Sequence, residues 1–194
     1  MGQPETRICD YEFHREILRV KSAIDFGPAL IERAEQLGGW SRSRTVGVQA
    51  PHTIGYDAGR TNDSVVVGGP IFAPFEGLLS QAIHSCVYAY KALNPHLNAS
   101  RDTHYDLLRY QAGQHFHEHV DVIPGHASWG ARVLSVVAFL NDDFEGGELR
   151  FSRQDLTIRP VAGDVILFPS GFTHPHAVLP VARGARYAVV TWLI

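Results

Sequence analysis

Cysteine is scarce in this chain: among 194 residues there are two, Cys9 and Cys86, far apart. Two isolated cysteines make neither a disulfide framework nor a zinc-ligand pattern, and they read as reduced thiols of a cytoplasmic protein. Long apolar runs are missing as well. No stretch approaches the ~18 residues that a membrane helix needs, and no signal peptide is read at the start, so no membrane partner is expected. An excess of positive charge is also absent. Seventeen Lys and Arg against twenty Asp and Glu give a formal charge of −3, which argues against a nucleic-acid partner held by phosphate contacts. There are no repeats and no low-complexity tracts. What remains is an ordinary globular composition, 45% hydrophobic and 19% charged, read as a single domain over 1–194 that buries roughly two-thirds of the surface its unfolded chain exposes.

Histidine is plentiful, with eleven, but a count alone identifies no site. Order along the chain says more. Residues 1–24 show no clean period and predict a short strand or loop entry. From Pro28 to Leu37 the apolar residues Leu30, Ile31, Ala34 and Leu37 fall at helical spacing, with Pro28 at a favourable first position and Gly38-Gly39 as the stop. Residues 40–72 read as short strands and a mobile loop. A second helix is predicted over Ala73 to Leu93, where Phe75, Leu78, Leu79, Ile83, Val87 and Tyr90 recur every three or four residues. Both helices are expected on one face of a sheet. From Tyr105 onward short β runs alternate with turn residues, at 105–110, 115–121, 131–140, 148–151, 156–158, 164–168, 176–181 and 186–194. The fold class is therefore α+β, mainly β: a jelly roll (double-stranded β-helix) over 105–194, with residues 1–104 as helical and loop support.

The stretch YQAGQHFHEHVD, from Tyr110 to Asp121, carries the chemistry. His119 and Asp121 stand two apart. On a strand such residues share a face, ~6.6 Å apart at a rise of ~3.3 Å per residue. One metal ion can then take an imidazole nitrogen and a carboxylate oxygen. On a helix the pair would diverge by roughly 200° and could not converge. A second signal follows in HAVLPVARGARYAVVTWL, which holds His176 and Arg186. Along that last strand Arg186, Ala188, Val190 and Trp192 share a face, and the small Ala188 leaves room beside the arginine.

Taken together, these stretches resemble the Fe(II)/2-oxoglutarate-dependent dioxygenases, most closely their prolyl-4-hydroxylase-like branch. The residues that carry the resemblance are Tyr110, Gly113, Phe116, His119 and Asp121; Phe139-Leu140-Asn141; Gly146-Gly147-Glu148-Leu149; Pro160, Gly163-Asp164 and Phe168-Pro169; and His176 through Tyr187. They arrive in order over about residues 105–194. The resemblance implies His119, Asp121 and His176 as ligands of Fe(II), leaving adjacent positions for the keto acid and O₂. It implies Arg186 as the partner of the far carboxylate of 2-oxoglutarate, and ascorbate (vitamin C) as the supporting reductant. His174 is the rival of His176, but the family spacing to Val178 and Arg186 selects His176; His174 is expected at the mouth of the site. Tyr110 could give a hydroxyl to the cosubstrate, or could be a core tyrosine. Phe139 departs from the pattern, because many prolyl hydroxylases place a cosubstrate-binding tyrosine there.

The implied activity is hydroxylation coupled to decarboxylation of 2-oxoglutarate to succinate. A prolyl residue of a peptide or protein is the leading substrate, by resemblance; a free amino acid or other small molecule is the alternative. A cupin-like metal-binding module without catalysis is the rival from another class. His115 and His117 would share a strand face with His119 if the strand is regular, and are read as solvated or substrate-facing. Asp142, Asp143 and Glu145 read as a solvated acidic turn, having too few oxygen ligands for a calcium loop. Trp129, Arg132, Arg60 and the stretch Asn62 to Ser64 lie where substrate contacts usually sit.

Overall fold

In the computed structural model, residues 10–46, 54–123, 125–126 and 129–194 are described; Cys9 and part of the expected 40–72 loop, residues 47–53, lie outside them. The helices are α1 (Gly27–Leu37) and α2 (Ala73–Leu93). The strands are β1 (Tyr11–His14), β2 (Ile17–Val20), β3 (Ser41–Arg42), β4 (Thr45–Val46), β5 (Ile54–Gly55), β6 (Asp63–Val67), β7 (Tyr105–Gln111), β8 (Phe116–His119), β9 (Leu134–Phe139), β10 (Glu145–Gly146), β11 (Leu149–Phe151), β12 (Leu156–Ile158), β13 (Val165–Pro169), β14 (His176–Val178), β15 (Val181–Arg183) and β16 (Ala185–Leu193).

Two antiparallel sheets face each other, as expected for a jelly roll. Among the described residues the larger has eight strands in the order β1-β2-β13-β9-β16-β7-β6-β3, and the smaller has four, β12-β11-β14-β8. Both helices form as the apolar spacing predicts. Pro28 sits in the first turn of α1, and Gly38, at φ 66°, ends it by returning its N–H to the carbonyl of Ala34. In α2 the stripe Leu79, Ile83, Cys86, Val87 and Tyr90 is buried. The two helices share one core with Leu107, Val136, Ala138, Leu167 and Val189 of the large sheet. Alternate residues of the same strands point the other way: Leu108, Tyr110, Val137, Phe139, Ile166, Phe168 and Ala188 join Leu149, Phe151 and Val178 of the small sheet in a second core. Period two thus divides each central strand between a helix side and an inter-sheet side.

The structure differs from the reading of the sequence in two places. The short strands expected within 1–24 and 40–72 form, but they join the large sheet instead of only supporting it: β1 and β2 extend it beyond β13, and β6 and β3 extend it beyond β7. Val20 pairs with Val165 and Val65 with Leu107. Short strands that pair with distant ones leave little local signature. The predicted strand 176–181 is two, β14 and β15, which pair with different partners, β11 with β8 and β10 respectively. The acidic turn carries β10, and Asp142, Asp143 and Glu145 are exposed there, as expected of a solvated turn. Asp143 accepts from Asn141 Nδ2, Asp142 accepts from the N–H of Ala162, and Glu145 pairs with Arg183.

Candidate metal and cosubstrate site

Strand β8 places His119 opposite His176 of β14 in antiparallel register, and Asp121 follows just past the end of β8. The ligand atoms of His119, Asp121 and His176 lie within 4.8 Å of one another. His119 Nε2 is 3.6 Å from Asp121 Oδ1, and His176 Nε2 is 3.7 Å from Asp121 Oδ2. Each imidazole is held from behind by a carbonyl two residues earlier in its own strand: His119 Nδ1 by His117 O at 2.8 Å, and His176 Nδ1 by His174 O at 3.1 Å. A carbonyl only accepts, so each Nδ1 carries the proton and each Nε2 turns a lone pair towards Asp121. Two lone pairs facing a carboxylate repel one another unless a cation lies between them. Two imidazoles and one carboxylate also suit ferrous iron with open positions, so the donor set fits the metal.

The Asp121 carboxylate is fixed from its other side. Ser135 Oγ donates to Asp121 Oδ2 at 2.6 Å and lies 2.8 Å from Ser170 Oγ. The backbone N–H groups of Asp121 and Val122 both donate to Ser170 O. Burial by itself would raise the Asp121 carboxyl, but in acid, where the His176 and His119 rings take up protons, their positive charge and the Ser135 hydroxyl outweigh it and hold the carboxyl well below its usual range. Burial pushes the His176 imidazole down to about 4, with the adjoining His119 adding to the effect. His176 is thus neutral, as a ligand must be, across the physiological range. Ser135 and Ser170 escaped the sequence reading. The available signal was a single hydroxyl in the otherwise apolar run LSVVAF, on the same alternation as Val137 and Phe139.

A cavity of about 600 Å³ opens onto this triad and is also lined by Tyr110, Arg186, Val190 and Trp192. Arg186 is 1% exposed. Its guanidinium carbon lies 5.0 Å from the Tyr110 ring centre and 5.2 Å from that of Phe139. Its Nε has no hydrogen-bond partner, and among the described residues no carboxylate is within ion-pair distance. A cation buried in this way is costly until an anion arrives, so the arrangement fits a dicarboxylate cosubstrate. Gly147, at φ 67°, makes the room: a Cβ there would stand 2.9 Å from Arg186 Cδ. Burial raises the Tyr110 hydroxyl, which stays protonated. Phe139 offers Arg186 a ring and no hydrogen bond.

Other candidates fall differently. His174 is not at the mouth of the site; it is buried behind it at 4% exposure. There its Nε2 bonds to Arg15 O, its Nδ1 meets Thr173 Oγ1, and its carbonyl holds His176. The residue preceding each ligand strand's histidine by two thus supports the ligand. Ala188 packs in the inter-sheet core. His115 and His117 stack on each other at 4.6 Å and join no second metal cluster among the described residues; the β8–β14 pairing shifts register here, so the strand is not regular. Trp129, Arg132, Arg60 and Ser64 line the cavity, whereas Asn62 is fully buried and bonds to Ser43 and the Asp63 carbonyl. Burial lowers Arg132 to about 10.

Over residues 105–194 the chain matches the family model described as "2OG-Fe(II) oxygenase superfamily". It is 44% identical over 66 residues to prolyl 3-hydroxylase 2 of Rattus norvegicus, an alignment covering 31% of this chain and 9% of that protein. It is 41% identical over 98 residues to a PKHD-type hydroxylase of Paraburkholderia phymatum, covering 44% and 40%. These alignments span well under half of either relative's length. In fold it is similar to a prolyl hydroxylase from Trichoplax adhaerens solved with a hypoxia inducible factor oxygen degradation domain peptide, at TM-score 0.76 and 18% identity over 92% of this chain and 83% of that one.

Proposed function

We propose that this chain is a hydroxylase that binds Fe(II) through His119, Asp121 and His176 and 2-oxoglutarate through Arg186. Its proposed substrate is a prolyl residue, with a free amino acid or other small molecule as the second reading. The observation that carries the proposal is the pairing of complementary chemistry in one cavity: three converging metal donors, and a buried guanidinium that no carboxylate of the described residues neutralises. Iron with 2-oxoglutarate supplies the oxidising chemistry when bound, coupling O₂ activation and loss of CO₂ from the keto acid to hydroxylation of a C–H bond. The protein's own part is positioning. His117 and His174 hold the two imidazoles in one tautomer through their carbonyls. Ser135 occupies one side of Asp121 Oδ2 and orients the carboxylate. Arg186 presents a planar fork to the distal carboxylate, on a floor of Tyr110 and Phe139 that excludes water.

Support for the prolyl reading comes from the relatives, which are named prolyl hydroxylases and PKHD-type hydroxylases. A reducing, cytoplasmic setting, ascorbate as reductant and the absence of a nucleic-acid partner belong to the same proposal. Among the described residues no helix is long and apolar enough to cross a membrane. The test is anaerobic. Addition of Fe(II) and 2-oxoglutarate should give a weak visible charge-transfer band, lost in His119→Ala and Asp121→Ala, and admission of O₂ should then give slow succinate formation. A folded, iron-loaded protein without that band would overturn the proposal in favour of a metal-binding module. Ascorbate is tested by its effect on the number of turnovers before inactivation.

A further inference from the structure

The turn between β1 and β2 is built against its own conformational preference. His14 pairs with Ile17, so Arg15 and Glu16 alone make the loop. Both lie in the left-handed region, at φ 48° and 64°. Two-residue turns of this kind favour Asn and Gly, and longer side chains are strained there unless the surroundings hold them. Here both turn carbonyls are held from far along the chain. Glu16 O accepts from the hydroxyl of Tyr90 in α2 at 2.9 Å, and Arg15 O accepts from His174 Nε2 at 3.0 Å. A third tether runs from Arg15 Nη1 to Gln154 O at 2.6 Å, and Gln154 Nε2 donates to Thr173 O at 2.9 Å. Arg15 and Glu16 are themselves exposed, so core packing does not fix the turn.

What the turn meets is the segment that leads into a ligand strand. Strand β14 begins only at His176, and Pro175 separates it from His174. The peptide unit between His174 and Pro175 has no N–H, so its carbonyl cannot be fixed by a bond at the other end of the same unit. Yet this carbonyl receives His176 Nδ1 at 3.1 Å. Its direction depends on how His174 is anchored: by the N–H to Gly171 O at 3.0 Å, and by the ring to Arg15 O and Thr173 Oγ1. The other imidazole is supported differently. His119 leans on the carbonyl of His117, an exposed residue within β8, and among the described residues no hydrogen bond joins His117 to the hairpin. We infer that the β1–β2 turn is a positioning element for one metal ligand: acting through His174, the Arg15 carbonyl fixes the plane and tautomer of His176, while Tyr90 and the Arg15 side chain tether the turn. The inference rests on the reading of His176 as a ligand and makes His174 and Tyr90 positioning residues.

The test is imidazole nitrogen NMR of the metal-free protein at neutral pH, which reports each ring's tautomer, together with Co(II) affinity by competition with a chelator. Wild-type His176 should show the Nδ1–H form alone. In His174→Phe, which keeps a ring and loses both ring bonds, His176 should become a mixture of tautomers while His119 is unchanged. Co(II) should then bind at least about tenfold more weakly. His174→Gln can still donate to Arg15 O and should restore most of both readings. Arg15→Ala combined with Tyr90→Phe cuts the turn's tethers and leaves His174 intact; it should move His176 in the same direction, by less. A His176 ring unmoved in either variant overturns the inference. So does an equal disturbance of His119, which would mean general loosening in place of positioning. If the wild-type protein binds neither Co(II) nor Fe(II), the hydroxylase reading fails by itself, and the NMR comparison still decides whether the turn positions the ring.

Discussion

The two faces of the eight-stranded sheet are made by the same strands and follow different rules. On the helix side, Leu107, Val136, Ala138, Leu167 and Val189 pack against α1 and α2, and the cation present there is neutralised. Arg109 stacks on Trp40 at 4.4 Å and reaches Glu35 and Asp63, each at 3.1 Å. On the cavity side, Arg132 stacks on Trp192 in the same manner and Arg186 lies over Tyr110 and Phe139, yet neither meets a carboxylate. The aromatic support is alike; the counter-charge is what differs. One face is complete as folded. The other presents charge that the proposed ligands would complete.

That contrast can be broken at its strongest point on the helix side. Leu107, fully buried among both helices' partners, should cost about 2–5 kcal/mol when changed to Ala, seen as a lower denaturant midpoint, with 2-oxoglutarate affinity per folded molecule unchanged. A fall in cosubstrate affinity would show that the faces are not independent. Arg186→Met should do the reverse. Binding of 2-oxoglutarate should fall by at least about a hundredfold, or about 2.7 kcal/mol, while thermal stability stays level or rises, because an unpaired buried cation is removed. Clear destabilisation by Arg186→Met would mean that the guanidinium is already satisfied in the ligand-free protein. A smaller effect is expected where the cavity side borrows the self-sufficiency of the other: Ser135→Ala should weaken iron binding about tenfold, measured by competition with a chelator, with little change in 2-oxoglutarate affinity once iron is saturating.

Most of the helix side was legible in the sequence, since α1, α2 and the central strands follow from local periods. The clustering of His119, Asp121 and His176, and the place of Arg186 in the same cavity, were legible for a different reason: their spacing reports strand geometry and a family pattern within a continuous stretch. What escaped depends on contacts between distant residues. Strands β1 and β2 belong to the sheet because Val20 meets Val165, and no local alternation announces that. Ser170 reaches Ser135 across a long interval of chain, and two ordinary serines carry no motif. His174 was expected at the mouth of the site, but the carbonyls of Arg15 and of His174 itself give it a buried, supporting place.

The smallest effect concerns pH. Burial holds the folded His176 imidazole down to about 4, whereas an unfolded chain takes up that proton near the ordinary value of about 6.5. The unfolded state therefore binds more protons in between, and in the metal-free protein this group's contribution to stability should be lost as pH falls from about 6.5 towards about 4. Imidazole NMR of the metal-free protein should find His176 still neutral at a pH of about 5. A ring already protonated there would mean that the cavity side is wetter than its geometry implies.

Arg186 pairs with Tyr110 across β16 and β7, and Ala188 with Leu108, in a ladder where alternate residues face opposite ways. A slip of one residue between these strands would turn Arg186 towards the helices and bring Tyr187 to the cavity. Backbone pairing alone would hardly notice the error. On the proposed assignment of Arg186 to 2-oxoglutarate, cosubstrate binding would, because only the correct alignment offers the guanidinium, and ligand at a hundred times its dissociation constant favours the binding-competent alignment by about 2.7 kcal/mol. The charge left open by the fold thus doubles as a proofreading device: the same molecule that the site awaits rewards the chain for having counted its strands correctly.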